Sequence, residues 1–381
     1  MTRLDKIAYF EEQGNIAWIC IIIKSLANGG AEKQSILLAK ALNEKHSVHF
    51  VILDEEPQHH AHLKNLSLYN IEHTYLKGSI TSKMKYFIHL LKKKKINLLF
   101  TFLPGDTFFG SIGGRLAGVQ FIYGGLRNAK IPEWRKRMGL RFVHNYLLDA
   151  TISNSYTGKK FYKDHGFNDD KTLVIHNGMV IDTVYQYRHE PKVVTILSVG
   201  RFAAQKDYET AIKTIALLKK SSDINKAFRY IIIGVGQLEG AVRAWIKKHD
   251  CEDVIEIVID PNNINEFYQK SDIYLCSSIF EGVSNTLIEA SSHSLPIVAT
   301  DAGDNNQLVI DGKNGYITPL GDSQLLAEKL TILINNHNQR LDMGKAGYEH
   351  FKTSFSYEKF SKNYLDLVEQ IMAKVPVKSM A

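Results

Sequence analysis

The sequence predicts an α/β protein made of two doubly wound domains, and three observations carry that expectation. Short apolar runs alternate with amphipathic helical patterns along most of the chain, the signature of βα units and parallel sheets. The length of 381 residues exceeds what one hydrophobic core commonly serves, so about two domains are expected. The apolar runs also form two series, separated by TVYQYRHEPK at 183–192, a polar, aperiodic and proline-containing stretch that reads as a linker.

In the first series, strands are expected near 16–23, 47–53, 97–102, 120–123, 149–153 and 172–175, with helices between them, that at 31–43 being the clearest. In the second, strands are expected near 193–199, 228–233, 254–258, 272–276, 295–299 and 316–317. After Phe355, the residues Phe360, Tyr364, Leu367, Val368 and Ile371 fall on one face of a terminal helix. The expected division is an N-terminal domain over 1–185, a C-terminal domain over 186–356, and a terminal helix over 357–381 packing back on the first domain.

Composition excludes several classes. With 44% hydrophobic and 23% charged residues the chain is neither disordered nor fibrous. Its three cysteines, Cys20, Cys251 and Cys276, are widely separated and lack metal spacing, which fits reduced thiols and a cytoplasmic setting. The apolar run IAWICIII at 16–23 is too short to span a bilayer, and Glu11 and Glu12 stand where a secretory signal needs positive charge. A formal charge of +7 and a pI near 9.0 favour anionic partners. The basic clusters are KKKK at 92–95 and WRKRMGLR at 134–141. Neither sits in an RNA-binding motif, so nucleic acid is the weakest candidate, behind a phosphorylated substrate and an anionic membrane face. Trp134, Met138 and Phe142 interleave with Arg135, Lys136, Arg137 and Arg141, a pattern shared by interfacial helices and by solvated helix faces.

In open parallel sheets, ligands bind beyond the carboxyl ends of the strands, and three unusual loops occupy that position. In KSLANGGAEKQS, Gly29 and Gly30 remove side chains where a helix begins, so that backbone N–H groups can approach a ligand; a tight strand-to-helix turn would look the same. In SVGRFAAQKDYE, Arg201 and Lys206 leave the end of a strand together and could grip a diphosphate, or form a solvated surface pair. In FEGVSNTLIEA, Glu281, Gly282 and Val283 turn into a helix starting near Ser284 or Asn285, whose first amides, through Thr286, make an anion site. Glu289 lies further along that helix, placed to accept from a ribose diol, while Glu281 precedes the helix and can reach hydroxyls on the other side of the anion. A capping carboxylate and a surface glutamate are the plain alternative.

Taken together, these motifs resemble the retaining glycosyltransferases of family 4, which have the GT-B fold. The family's two glutamates separated by seven residues match Glu281 and Glu289 in EGVSNTLIEASSHSLPIVAT. Its Val-Gly-Arg with a following lysine matches VGRFAAQK, and its N-terminal glycine turn matches NGGAE; IIIGVGQLEGAVR and VIHNGM share the family's style. The likeness runs from about residue 16 to 350. It implies two Rossmann-like domains facing a central cleft, with an acceptor-side N-terminal domain and a C-terminal domain that binds a nucleotide sugar. It further implies sugar transfer with retention from a nucleoside-diphosphate donor, UDP being the commonest among relatives. Arg201, Lys206 and the amides of Ser284, Asn285 and Thr286 would then stabilise the leaving diphosphate. Glu289 would bind the ribose and Glu281 the donor sugar, and Gly29 and Gly30 would let the first domain close over the donor. Gly234, in the Gly-Val-Gly turn, would line the donor side. No Asp-X-Asp is present, and fixed cations can replace Mg²⁺ on a diphosphate, so neither metal nor cofactor is expected.

One departure concerns the acceptor side. Many relatives carry a histidine after the third strand of the first domain, where FTFLPGDTFFGS has none; Phe102 and Gly105 take the corresponding places. Asp106 is the nearest polar substitute and the candidate for acceptor contact, although a plain Pro-Gly-Asp turn accounts for it more readily. Arg127 and Asn128 in YGGLRN are candidates to line the acceptor site. The acceptor is expected to be a glycan or a polyprenyl-linked sugar of a surface polysaccharide or lipopolysaccharide, used by a cytoplasmic enzyme peripheral to the inner membrane face through residues 134–141. Two other readings stand beside this one: a nucleotide-sugar epimerase of the same build, and a binding protein that keeps the donor site without turnover. The Gly234-Val235-Gly236 turn differs in spacing from a dinucleotide fingerprint. His59, His60 and His62 lack a completing metal ligand and read as a solvated segment.

Overall fold

Fully buried parallel strands need apolar residues on both faces, and WICIII does this at Trp18–Ile23, strand β1, where every residue after Trp18 is buried. The structure, a computed structural model, describes residues 16–27, 29–56, 58–127, 134–180, 185, 187–261 and 263–373. The chain divides into two units, Met1–Gly178 with Tyr357–Ala381, and Met179–Ser356.

In the first unit β1 pairs in parallel with β2 (Ser47–Ile52) on one side and β4 (Leu98–Thr101) on the other. With β3 (Glu72–Tyr75), β5 (Phe121–Leu126), β6 (Ala150–Ser153) and β7 (Thr172–Val174), the strand order is β3-β2-β1-β4-β5-β6-β7. Helices α1 (Gly30–Leu42), α2 (His60–Leu68), α3 (Ile80–Lys93), α4 (Pro104–Ala117), α5 (Trp134–Phe142) and α6 (Tyr156–Asp164) connect them, and a π-helical turn, Val143–Leu147, extends α5.

The second unit repeats the scheme with β8 (Val193–Val199), β9 (Ala227–Ile233), β10 (Ile255–Val258), β11 (Ile273–Cys276), β12 (Ile297–Thr300) and β13 (Gly315–Thr318), in the order β10-β9-β8-β11-β12-β13. Its helices are α7 (Tyr208–Lys220), α8 (Glu239–Lys248), α9 (Ile264–Lys270), α10 (Asn285–Ser292), α11 (Asn305–Leu308), α12 (Ser323–Asn335) and α13 (His337–Ser354). Both units are Rossmann-like, as the apolar periodicity predicts. The terminal helix α14 (Tyr357–Ala373) belongs to the first unit, where Phe360, Tyr364, Val368 and Ile371 complete the core beneath β1 and α1. Burying each of these side chains stabilises the unit by roughly 1.5–3 kcal/mol.

Two local expectations are corrected. Strand β3 has the sequence EHTY, with none of its residues fully buried. A sheet-edge strand needs no continuous apolar run, so periodicity gave it no signal. The histidine cluster is not uniformly solvated: His60 is exposed, but His62 is buried at 3% exposure and its Nδ1 lies 3.3 Å from the Leu26 carbonyl.

Both strand orders reverse at one place, between β1 and β4 in the first unit and between β8 and β11 in the second. Loops leaving the carboxyl ends of such neighbours diverge and leave a crevice, the usual ligand site of open α/β sheets. In the second unit those two loops are 200–207 and 277–284.

Candidate functional site

The first of these loops is held by backbone. Phe202 N–H donates to Val235 O at 2.9 Å, and Leu238 N–H donates to Phe202 O at 3.0 Å, so the Gly-Val-Gly turn lies directly against residues 200–202. Gly234 is required by that contact, because a Cβ there would sit 2.0 Å from the Gly200 carbonyl oxygen. Gly234 thus supports the loop from beneath. Arg201 emerges exposed and makes no side-chain hydrogen bond or ion pair among the described residues. A 3₁₀ turn, Ala204–Lys206, then brings Lys206 back, and Ser277 Oγ fixes it by donating to the Lys206 carbonyl at 2.8 Å.

The second loop meets the first through charge. Lys206 Nζ lies 2.6 Å from Glu281 Oε1, with side chains 17% and 8% exposed. Ser278 Oγ donates to the same carboxylate oxygen at 2.8 Å, and Gln205 Nε2 approaches Oε2 at 3.5 Å. A buried carboxylate is tolerated only when paired and hydrogen-bonded; here the cation comes from the neighbouring loop and the close hydroxyl donor from the glutamate's own. Glu281 therefore anchors Lys206 as well as standing where a donor sugar was expected. Gly303, at φ +61, allows the next loop to close over it: a Cβ would fall 2.0 Å from the Glu281 carbonyl oxygen. Asp304 N–H donates to Gly282 O at 3.0 Å and fixes the turn into the helix, while Val283 packs into the core below.

Helix α10 follows. Its N-cap Ser284 makes no side-chain capping bond; the Ser284 hydroxyl turns instead to Thr286 Oγ1 at 3.2 Å. Asn285 and Thr286 open the helix, so the positive end of its dipole lies where the loop leaving β11 ends. One turn further on, half-buried Glu289 accepts from Tyr268 Oη at 2.7 Å. Arg201, Lys206, Glu281, Gly282, Val283, Ser284, Asn285, Thr286 and Glu289 thus lie on the loops and helix that leave β8 and β11.

The first-unit candidates fare differently. Asp106 is 0% exposed, with Oδ1 accepting from Leu103 N at 2.9 Å and Oδ2 from Phe102 N at 3.2 Å. It caps the start of α4 and cannot contact an acceptor, which corrects the catalytic expectation. Burial pushes its carboxyl up to about 7, against the backbone donors of Leu103, Asp106 and Phe102 that favour the charged form. Arg127 is also committed: its guanidinium donates to Asn177 Oδ1 at 3.1 Å and to Tyr364 Oη at 2.9 Å, and it lies 4.7 Å over the Phe102 ring. It ties β5 to the terminal helix rather than standing open to an acceptor, again a correction. Asn128 lies outside the described residues. Gly29 and Gly30 do start α1, but the space above Gly29 is taken by Glu32, whose Oε2 lies 2.2 Å from where a Cβ would be. The anion expected at that turn would meet a carboxylate. Gly105 is exposed and its Cβ position opens on empty space, so a side chain is sterically allowed where relatives carry their histidine.

Sequence reasoning missed Gln205, Ser277, Ser278 and Tyr268. The serines directly follow β11, so the strand-end rule could have found them; nothing in the sequence pointed to Tyr268. Among the described residues no group of three or more His, Cys, Asp or Glu could hold a metal ion.

Two parallel-sheet Rossmann-like units of this kind are the architecture of the GT-B fold. Residues 184–350 match the family model described as glycosyl transferases group 1. An uncharacterised glycosyltransferase of Methanocaldococcus jannaschii is 29% identical over 233 residues, covering 55% of this chain and 63% of the relative. The chain thus spans less than two-thirds of that relative, and 46% of the amylovoran biosynthesis glycosyltransferase AmsK of Erwinia amylovora. A longer match is the Campylobacter jejuni GalNAc-α-(1→4)-GalNAc-α-(1→3)-diNAcBac-PP-undecaprenol α-1,4-N-acetyl-D-galactosaminyltransferase, 23% identical over 93% of this chain and 98% of that one. Among solved structures, Anabaena HepE in complex with UDP superposes with a TM-score of 0.79 at 17% identity, covering 92% of this chain and 99% of its own.

Proposed function

We propose that the protein is a retaining, family 4 glycosyltransferase that moves a sugar from a nucleoside-diphosphate donor, UDP-linked in the first instance, to a lipid-linked or glycan acceptor of a surface polysaccharide. One observation carries the reading: the loop that bears Arg201 and Lys206 and the loop that leads into the N-terminus of α10 leave neighbouring strands, β8 and β11, at the strand-order reversal of the second unit, the usual ligand position in such sheets. The bond from the anomeric carbon to the diphosphate oxygen breaks, and its electron pair stays on the diphosphate. Arg201, Lys206 and the α10 amides receive that charge. The acceptor hydroxyl attacks the same face, and its proton passes to the departing phosphate oxygen. Glu289 accepts from the ribose diol, while Glu281 holds Lys206 and faces the donor sugar. Two protein cations perform the work a metal would do on the diphosphate, so turnover persists in EDTA.

UDP in HepE and the undecaprenol-linked substrate named for the Campylobacter relative support the donor and acceptor classes. A membrane-facing role is supported by the surface of the first unit. Met138, Phe142 and Tyr146 are 52%, 58% and 73% exposed, and the Phe142 and Tyr146 rings are 5.1 Å apart. Arg115 Nε donates to Leu147 O at 2.9 Å, bringing the exposed Ile112 and Leu116 of α4 alongside. Arg141 on the same helix supplies exposed positive charge. No helix among the described residues is long and apolar enough to cross a membrane.

The test is a panel of nucleotide sugars incubated with candidate acceptors, with free nucleoside diphosphate and anomeric configuration read together. Release of diphosphate with a retained configuration is the expected result. A changed sugar without acceptor consumption favours an epimerase, and donor binding without turnover in any acceptor favours a silent binding protein.

A further inference from the structure

Three buried rings form a column beneath the donor site. Tyr268 of α9 stacks on His293 at 5.1 Å and 18°, and on Tyr274 of β11 at 6.0 Å and 20°. Tyr268 and Tyr274 are 0% and 1% exposed, and His293 is 5% exposed. The hydroxyls of the column end on the candidate donor contacts. Tyr268 Oη donates to Glu289 Oε2 at 2.7 Å, and Tyr274 Oη donates to Val199 O at 3.1 Å, where the Lys206 loop begins, and also meets the Thr286 side chain.

The column is locked at its back. Arg188 Nη2 donates to the Tyr268 carbonyl at 3.0 Å and the His293 carbonyl at 2.8 Å, and its Nη1 donates to Gln269 O at 2.8 Å. One guanidinium therefore joins the carboxyl ends of α9 and α10, where a cation is favoured. His293 Nδ1 sits 2.9 Å from the Glu289 carbonyl, which ties the last turn of α10 to the same stack. Burial holds the Tyr268 phenol far above its ordinary range, so it remains a donor.

A glutamate on a helix surface has three side-chain torsions to fix before it can accept from a diol, and fixing them in advance is preorganisation. We propose that Tyr268 is a positioning residue that sets the carboxylate of Glu289 for the 2′,3′-diol of a nucleoside diphosphate, at a spacing from the diphosphate cradle fixed by the Tyr268–Tyr274 stack. The inference rests on the donor-site reading above and adds to it a group that touches no substrate.

The test uses the full chain and isothermal calorimetry with UDP, its 2′,3′-dideoxy analogue and inorganic pyrophosphate. Tyr268→Phe keeps the ring in the stack and removes only the hydroxyl. Losing a hydrogen bond to a charged group should weaken UDP by roughly tenfold, with the dideoxy analogue and pyrophosphate changed by less than about twofold. In the Glu289→Gln background, Tyr268→Phe should cost little more, since the group it positions is already altered. An equal loss for all three ligands indicates a merely structural role and overturns the proposal, as does unchanged UDP affinity. If the wild-type protein binds UDP and its dideoxy analogue equally, the ribose reading of Glu289 falls and this proposal falls with it. If the wild type prefers the diol and Tyr268→Phe retains that preference in full, only the role of Tyr268 falls.

Discussion

Replacing Lys206 by methionine separates the two tasks assigned to that side chain. In the resting protein its ammonium neutralises Glu281 at 2.6 Å, with the two side chains 17% and 8% exposed. Removing one partner of a buried pair leaves the other charge uncompensated and costs about 3–5 kcal/mol. Here Ser278 still donates to Glu281 at 2.8 Å, which places the expected loss at the lower end, about 3 kcal/mol. For a unit of this size each kcal/mol lowers Tm by roughly 2–4 °C, so a fall of about 6–12 °C is expected. The ligand effect is separate. One charge-assisted contact to the diphosphate is worth about 1.5–3 kcal/mol, so UDP should bind about 10- to 150-fold more weakly. Glu281→Gln should also lower Tm, yet it removes a negative charge from beside the diphosphate and should hold or raise UDP affinity. Thermal unfolding with and without UDP, paired with calorimetry, reads both quantities. If Lys206→Met folds and binds UDP as the wild type does, or if Glu281→Gln weakens UDP as much as Lys206→Met, the cradle is misassigned.

Three further outcomes follow from the same contacts. Asp106 has its carboxyl raised to about 7 from an ordinary 3.8, so the folded protein holds a proton that the unfolded chain releases; this contribution is complete below about pH 4 and is lost as pH rises through about 7. The full span is roughly 4 kcal/mol, and Asp106→Asn should flatten the decline of Tm over that window without changing UDP affinity. Arg127→Ala removes two hydrogen bonds and a ring contact inside the first unit, so it should destabilise by about 2–3 kcal/mol in denaturant titration and leave UDP affinity unchanged; a specific loss of acceptor KM without destabilisation would contradict the clamp. Gly234→Ala forces backbone away from the Gly200 carbonyl, so it should lower stability by about 1–3 kcal/mol and weaken UDP through the displaced Arg201 loop, both read by differential scanning calorimetry with and without ligand.

Much of the fold was legible because parallel strands buried on both faces leave unbroken apolar runs, as IAWICIII and VVTILSV do. Strand β3 was not, since EHTY at a sheet edge satisfies half its surface with water. The Arg201, Lys206 and Ser284 loops could be placed because topology alone puts them at strand ends. What sequence spacing could not convey was distance between remote residues. Lys206 and Glu281 are 75 positions apart and Arg127 and Tyr364 are 237 apart, yet each pair is in contact. Asp106 misled for a related reason: a carboxylate after Pro-Gly looks available, and only the packed helix shows both its oxygens turned to backbone. Tyr268 left no trace because a buried tyrosine on a short helix is ordinary core until its hydroxyl partner is known.

The most direct measurement is the electron density of a crystal soaked with UDP. The account predicts the diphosphate between the Arg201 guanidinium, the Lys206 ammonium and the first amides of α10, with the ribose hydroxyls on Glu289. Ordered UDP lying elsewhere, with Lys206 still paired to Glu281 and Arg201 turned to solvent, would contradict it.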